Sequence, residues 1–126
     1  MRLTHPGLSF ILPVTYAWNA TDVAVDCCFF IADRAYSIIG ITCRVEVAGN
    51  DAGAVTAVIK KAASATAIAS GTAIHSGTIN LKGTAATNQA ITTTVFTLES
   101  GSCLGFDLTG TPATAVGSVT ITLGRA

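Results

Sequence analysis

The segment Tyr36–Val47 (YSIIGITCRVEV) alternates apolar and polar side chains with a period of two. Successive side chains of a β-strand point to opposite faces, so this pattern predicts a long strand with one face in a core and the other in water. The predicted inward residues are Ile39, Ile41, Cys43, Val45 and Val47, and the predicted outward residues are Thr42, Arg44 and Glu46. The chain must therefore build a sheet that is covered on one side.

A second alternating segment follows a turn-rich connection. Residues 48–54 (AGNDAGA) contain the Gly, Asn and Asp that are typical of a tight turn. After this connection the predicted inward residues are Val55, Ala57 and Ile59, and the predicted outward residues are Thr56, Val58 and Lys60. The two segments are predicted to pair as an antiparallel hairpin.

Short strand patterns then recur to the end of the chain. They lie at residues 28–32, 67–69, 73–75, 78–82, 90–98, 103–108 and 118–123. The Thr and Ser content of residues 63–70 argues against a helical turn there. We predict an all-β fold, a single jelly-roll-like antiparallel β-sandwich of about eight strands, with an immunoglobulin-like sandwich as the second choice. The predicted inward residues of the later strands are Ile79, Leu81, Leu104, Phe106, Leu108, Val119, Ile121 and Leu123.

Residues 1–22 do not follow this strand pattern. They contain the only Trp and two prolines, Pro6 and Pro13, which exclude a central strand. We predict an extended N-terminal arm at residues 1–22, followed by a β-sandwich domain at residues 23–126. Apolar side chains on a free arm need a covering surface, and we favour a neighbouring molecule over the domain itself. The candidate interface residues are Leu8, Phe10, Ile11, Leu12, Tyr16 and Trp18.

Charged residues make up only 11% of the chain, and seven Lys and Arg balance seven Asp and Glu. A small, neutral and charge-poor domain tends to self-associate, so we predict a permanent assembly. Nucleic acid is not an expected partner, because phosphate binding needs clustered basic side chains. The only adjacent basic pair, Lys60 and Lys61, points to opposite faces of a strand.

No apolar run approaches the roughly 18 residues of a membrane helix, so no membrane partner is expected. The apolar stretch at residues 8–14 is too short, and too interrupted by proline, for a secretory signal.

The four cysteines do not form a recognisable disulfide or zinc pattern. Cys27 and Cys28 are adjacent, and no CxxC or Cys/His spacing is present. We expect reduced, mostly buried thiols, with a bridge between Cys28 and Cys43 as the alternative.

Groups for catalysis are sparse, so no enzyme activity, cofactor or metal is expected. His5 and His75 are far apart in sequence, and neither has an acidic neighbour at a motif spacing. No basic residue lies close enough in sequence to activate the adjacent cysteines. The aspartates in turn-like contexts, where they normally bond their own backbone, are Asp22, Asp26, Asp33 and Asp51.

Four stretches of the chain together resemble one family of viral proteins. They are HPG..FILPVTYAW, then CFFIADRAYSIIGITCRVEVAGNDAGAVTAVIKKA, then SGTAIHSGTINLKGTAATNQ, and finally ESGSCLGFDLTGTPATAVGSVTITL. Nearly the whole chain is similar to the decoration or cement proteins of tailed-phage heads. The resemblance implies a compact β-sandwich, often trimeric, that binds the outer capsid and reinforces it.

The partners that this resemblance implies are the major capsid protein and two further copies of the chain. The implied location is the exterior of the virion, after assembly in the host cytoplasm, where neither a signal peptide nor disulfides are needed. The family offers no catalytic motif.

Two rival functions come from other classes of protein. A phage fibre or tail receptor-binding domain would bind a host glycan, with Trp18 and Tyr16 beside Asn19 as its surface. A small hydrolase would need a pocket that joins His75 to an acidic group.

Overall fold

The computed structural model describes residues 10–19, 26–50, 52–111 and 113–126. These residues form ten β-strands and one short 3₁₀ turn, Ile68–Ser70. The all-β prediction is confirmed. Within the described residues, no helix is long and apolar enough to span a membrane. The strands are β1 (Ile11–Trp18), β2 (Cys27–Ile31), β3 (Tyr36–Val47), β4 (Thr56–Ala62), β5 (Thr72–Ala73), β6 (Ile79–Asn80), β7 (Thr87–Gln89), β8 (Thr97–Leu98), β9 (Cys103–Thr109) and β10 (Val116–Arg125).

Two antiparallel sheets face each other. Sheet A has the order β1-β10-β3, and both β7 and β8 pair with the far edge of β3. Sheet B has the order β2-β9-β4, and both β5 and β6 pair with the far edge of β4. If each pair of short strands is taken as one broken strand, eight positions remain. Numbered along the chain, these positions have the order 1-8-3-6 in sheet A and 2-7-4-5 in sheet B, which is the strand order of a jelly roll, as predicted.

Inward side chains of both sheets form one apolar core. The predicted inward residues of β4, β9 and β10 are correct, because their alternation continues without interruption. Residues of these three strands that are almost fully buried include Ala57, Ile59, Leu104, Phe106, Val119, Ile121 and Leu123. The predicted inward positions Val55, Ile79 and Leu81 are also buried, and Leu108 is partly buried against the core.

Strand β3 departs from the predicted alternation at two β-bulges. Its register against β10 skips Ile39, because Ile38 and Gly40 pair with consecutive residues of β10. Ile38 is consequently 2% exposed, whereas Ile39 is 56% exposed. The register also skips Glu46, and Val47 after it is 47% exposed. The inward assignments of Ile39 and Val47 were therefore wrong, because a bulge inserts one residue and exchanges the faces.

The predicted hairpin between β3 and β4 is also wrong, because the two strands lie in different sheets. Both edges of β3 are occupied by β10 and by the short strands β7 and β8. The connection crosses between the sheets, and the Gly49 N–H donates a 2.9 Å hydrogen bond to the Leu81 carbonyl on the way. Long-range pairing has replaced the local pairing that the turn residues suggested.

Four of the other predicted strands are shorter or absent. The stretches 73–75 and 78–82 are reduced to the two-residue strands β5 and β6. The stretch 67–69 overlaps the 3₁₀ turn, whose Ile68 side chain lies over Gly105 on the outer face of sheet B. Glycine is needed at that position because a Cβ atom would overlap the Ile68 side chain. Within residues 90–98, only Thr97–Leu98 forms a named strand, and Thr93 makes an isolated bridge to His75.

The predicted arm contributes a strand to the sandwich. Ile11–Trp18 is β1, which pairs along its whole length with β10 at the edge of sheet A. Pro13 is tolerated there because an edge strand has a ladder on one side only. Residues 1–9 and 20–25 lie outside the described residues, and so does the predicted boundary between residues 22 and 23.

Aromatic contacts join β1 to the opposite sheet. The Tyr16 ring lies 4.8 Å from the Phe106 ring and 5.3 Å from the Phe29 ring, measured between centroids. The Trp18 ring stacks on Phe106 at 5.6 Å. The surface that covers the inward side chains of the arm, from Leu12 to Trp18, is therefore the domain's own sandwich.

Candidate functional site

The outer face of sheet A is rich in Thr and Ser and carries few charges. Thr15, Thr120 and Thr42 lie opposite one another across β1, β10 and β3. The Thr15 and Thr120 hydroxyls share a 2.8 Å hydrogen bond. Pro13 and Thr122 flank this row on one side, and Ala17, Ser118 and Arg44 on the other. The face therefore offers hydroxyl and methyl groups in a regular array.

A groove of about 440 Å³ runs along this face beside β7. The residues that line it include Thr42, Arg44, Asn88, Gln89, Ser118 and Thr120. The Gln89 amide is fixed in place, because it accepts a hydrogen bond from the Asn80 N–H at 3.0 Å and donates one to the Asn80 carbonyl at 2.6 Å. Arg44 is paired with Glu46. Hydroxyls, amides and a paired cation suit contact by hydrogen bonding rather than acid–base chemistry.

One end of the same face is apolar. Ile11 lies opposite Gly124 of β10, and the Ile39 side chain lies over Gly124, where an added Cβ would come within 2.6 Å of Ile39 Cδ1. Ile11 is 59% exposed, and the neighbouring Phe10 is half exposed with its ring stacked 6.1 Å from Tyr36. The Phe10 ring lies against this core residue, so Phe10 is not part of the outer face. We call Ile11, Ile39 and Gly124 the bulge patch. Its large exposed apolar side chains mark it as a contact surface.

The candidate interface residues from the sequence divide into three groups. Phe10 and Ile11 are both at the surface, but only Ile11 belongs to the bulge patch, because the Phe10 ring stacks on Tyr36 at the end of the sandwich. Leu12, Tyr16 and Trp18 face inward and pack against the core, with Trp18 only 5% exposed, so they are not available for an interface. Leu8 lies outside the described residues. These inward positions follow the period of two along β1.

Sequence reasoning missed Ile39 as a surface residue. The available signal was Gly40 directly after it, because an isolated glycine inside a strand often marks a bulge.

His75 is a buried structural side chain. Its Nε2 accepts a 3.0 Å hydrogen bond from the Ile59 N–H, and its Nδ1 donates one to the Ser76 carbonyl at 3.0 Å. This arrangement requires the neutral imidazole with the proton on Nδ1. Both nitrogens serve backbone groups, so the geometry does not support the pocket that the hydrolase alternative required. His5 lies outside the described residues.

The described charged side chains of sheet B and its loops form local pairs. Lys60 Nζ lies 2.7 Å from the Asp107 carboxylate, and Lys61 Nζ lies 2.7 Å from Glu99. The hydrogen bond from Lys61 lowers the pKa of Glu99. These pairs join β4 to Asp107 of β9 and to Glu99. Because each lysine charge is balanced by a carboxylate, the two lysines do not form a basic patch.

The turn aspartates also have structural roles. Tyr36 donates its hydroxyl hydrogen bond to Asp33, and this bond, with the nearby Arg34, lowers the pKa of Asp33. Asp26 accepts a 2.9 Å hydrogen bond from the Leu108 N–H. Asp22 and Asp51 lie outside the described residues.

All four cysteines are free thiols. Cys43 is buried, and burial raises its pKa to about 11. The expectation of mostly buried thiols was wrong for Cys28, which is exposed, and for Cys27 and Cys103, which are partly exposed. Cys43 points into the core, whereas Cys28 is exposed on sheet B, so their side chains are not placed for the alternative bridge.

No group of three or more His, Cys, Asp and Glu side chains in the described parts of the chain is placed to hold a metal ion. The candidate contact surface is the outer face of sheet A together with the bulge patch at its end. Comparisons with protein-family models, curated proteins and solved structures found nothing that matches this chain.

Proposed function

We propose that this protein is a virion structural protein that decorates and stabilises the outer surface of a tailed-phage head. The observation that carries the proposal is the outer face of sheet A, which is rich in Thr and Ser, poor in charge and apolar at the bulge patch. The resemblance of the sequence to phage decoration proteins supports the same conclusion. The proposed partner is the major capsid protein, and the proposed location is the capsid exterior.

A neutral face suits attachment to a repeating lattice. Long-range steering by charge mainly raises association rates, whereas many equivalent sites and multivalent attachment supply affinity through repeated contacts. In the proposed complex, the Thr and Ser side chains form hydrogen bonds to the capsid surface. Ile11 and Ile39, which are exposed on the free protein, become buried at one end of the contact. We further propose that the protein acts as a homotrimer, as the low charge and the family resemblance suggest.

The glycan-binding alternative has less support. A sugar-binding surface commonly uses exposed aromatic rings, and Trp18 was the sequence candidate for that role. The Trp18 ring is buried against Phe106. The Tyr16 ring also packs against the core, so neither sequence candidate is free to stack on a sugar.

The decisive test is co-sedimentation with heads purified without this protein from the phage that encodes it. The wild-type protein should pellet with these heads in saturable amounts. Ile39→Ser should weaken binding by about tenfold or more, because it removes a large apolar side chain from the bulge patch of the proposed contact. Val47→Ser is the matched control, since Val47 is similarly exposed at the other end of β3.

Failure of the wild-type protein to bind would refute the proposed function. Equal binding by wild type, Ile39→Ser and Ile11→Ser would instead refute the bulge patch as the contact. Light scattering addresses the trimer separately, with an expected mass of three times the 12.7 kDa chain. A monomer at all micromolar concentrations would contradict the trimer.

A further inference from the structure

Two thiols lie together on the outer face of sheet B. In the ladder between β2 and β9, Cys28 pairs with Gly105 and Ile31 pairs with Cys103. Leu104 and Phe106 point into the core, so the intervening positions Cys103 and Gly105 point outward. Cys28 shares the outward side of its partner Gly105, and Cys28 and Cys103 are therefore diagonal neighbours.

The two thiols are near enough to influence each other. The interaction with Cys28 contributes to raising the pKa of Cys103. Cys28 Sγ in turn donates a 3.5 Å hydrogen bond to the Phe30 carbonyl. Cys27 does not share this face, because it pairs with Phe106 and packs against the core.

Strand β2 has room to adjust its position. Its only sheet neighbour in the described part of the chain is β9, and its register contains a bulge between Cys28 and Phe30. A disulfide requires Cβ atoms about 4 Å apart, closer than most diagonal pairs in a flat sheet. A bulged strand at a sheet edge can make this approach without disturbing a second ladder.

We propose that Cys28 and Cys103 are a redox-active dithiol that a small-molecule disulfide oxidises to a bridge between β2 and β9. The Cys28 thiolate attacks one sulfur of the small disulfide, forms a mixed disulfide and releases one small thiolate. Cys103 then loses its proton to solvent and attacks Cys28 Sγ, which releases the second small thiolate. Two protein S–H bonds are exchanged for one S–S bond, and the small disulfide is reduced to two thiols.

The two cysteines have different roles because their accessibility differs. Cys28 is exposed and can meet a dissolved disulfide, whereas Cys103 is partly covered. Burial and the interaction with Cys28 raise the pKa of Cys103. Cys28 is therefore the entry thiol and Cys103 the resolving thiol. This inference does not depend on the proposed function.

The experiment exposes the folded, reduced protein to oxidised glutathione and follows its intact mass. The wild-type protein should lose two hydrogens and carry no lasting glutathione adduct. Peptide mapping without reductant should link the segment that contains Cys28 to the segment that contains Cys103. The bridge closes a long loop, so the oxidised protein should also melt at a higher temperature, and a reductant should reverse this shift.

Variants separate the proposed roles. Cys103→Ser should accumulate one glutathione on Cys28, whereas Cys28→Ser should remain reduced. Cys27→Ser and Cys43→Ser are the matched controls, and both should form the bridge as the wild type does. A wild-type protein that stays reduced or keeps a glutathione adduct would overturn the proposal. A bridge that uses Cys27 in place of Cys28 would also overturn it.

Discussion

Ile38 and Ile39 provide a direct test of the bulge in β3, because they are neighbours with opposite environments. Ile38 is 2% exposed, and Ile→Ala there removes three carbons from the core. At about 0.8 kcal/mol for each buried carbon, the transfer contribution is roughly 2.4 kcal/mol. The cavity that remains should increase the loss of unfolding free energy to about 3 to 4 kcal/mol. Ile39 is 56% exposed and leaves no enclosed cavity, so Ile39→Ala should cost about 1 kcal/mol at most.

Urea unfolding followed by circular dichroism would measure both losses. All proteins should be compared at one concentration, since association would make the midpoint depend on concentration. Thermal melting should agree, with a decrease of roughly 10 °C for Ile38→Ala and a few degrees for Ile39→Ala. A larger loss at Ile39 than at Ile38 would show that β3 lacks the bulge. In that case the uninterrupted alternation would be correct, and the bulge patch would not exist.

Three further predictions concern packing, acid stability and thiol reactivity. Gly117→Ala should cost about 2 kcal/mol or more, because its Cβ would lie 2.5 Å from a backbone carbonyl oxygen of β3 and overlap the indole of β1. Gly40→Ala is the control for this substitution, since no atom lies within 4 Å of its added Cβ. Asp33 and Glu99 have folded pKa values below their unfolded values of 3.8 and 4.5. The two carboxylates therefore stabilise the folded protein above about pH 4.5, and this stabilisation is lost as the pH falls through their lowered folded pKa values. The double variant Asp33→Asn, Glu99→Gln should show a smaller change of its urea midpoint with pH in this range than the wild type does. Cys43, with a pKa of about 11, should not react with a thiol reagent near pH 8 until the protein unfolds, and its rapid reaction in the native state would contradict its burial.

The regular strands could be predicted from the sequence because a period of two carries enough information to assign faces. Val119, Ile121 and Leu123 are all buried, and the intervening Thr120 and Thr122 face outward. The same reasoning failed at Ile39 because hydrophobicity alone does not reveal an inserted residue. Both bulges of β3 lie where its register against β10 shifts, and that register depends on a partner about 80 residues away in sequence.

The pairing of the strands was harder to predict from the sequence than the strands themselves. The turn-rich residues 48–54 correctly mark the end of β3, but turn residues do not determine whether the next strand joins the same sheet. The arm was misjudged for a different reason. Proline excludes a central strand, yet an edge strand accommodates it. The period of two in Leu12, Val14, Tyr16 and Trp18 was already visible in the sequence and identifies β1.

The bulge at Ile39 in β3 explains both the wrong inward assignment of this residue and its place in the proposed contact surface. An unbroken strand would place Ile39 in the core, and the bulge places it over Gly124 instead. An exposed Ile39 does not contribute the hydrophobic free energy that it would contribute in the core of a regular strand. Bulges commonly redirect a side chain towards a functional surface. The loss is recovered if a partner covers Ile39 together with Ile11, which is why the bulge patch, rather than the Thr-rich centre of the face, is where substitutions should affect attachment most.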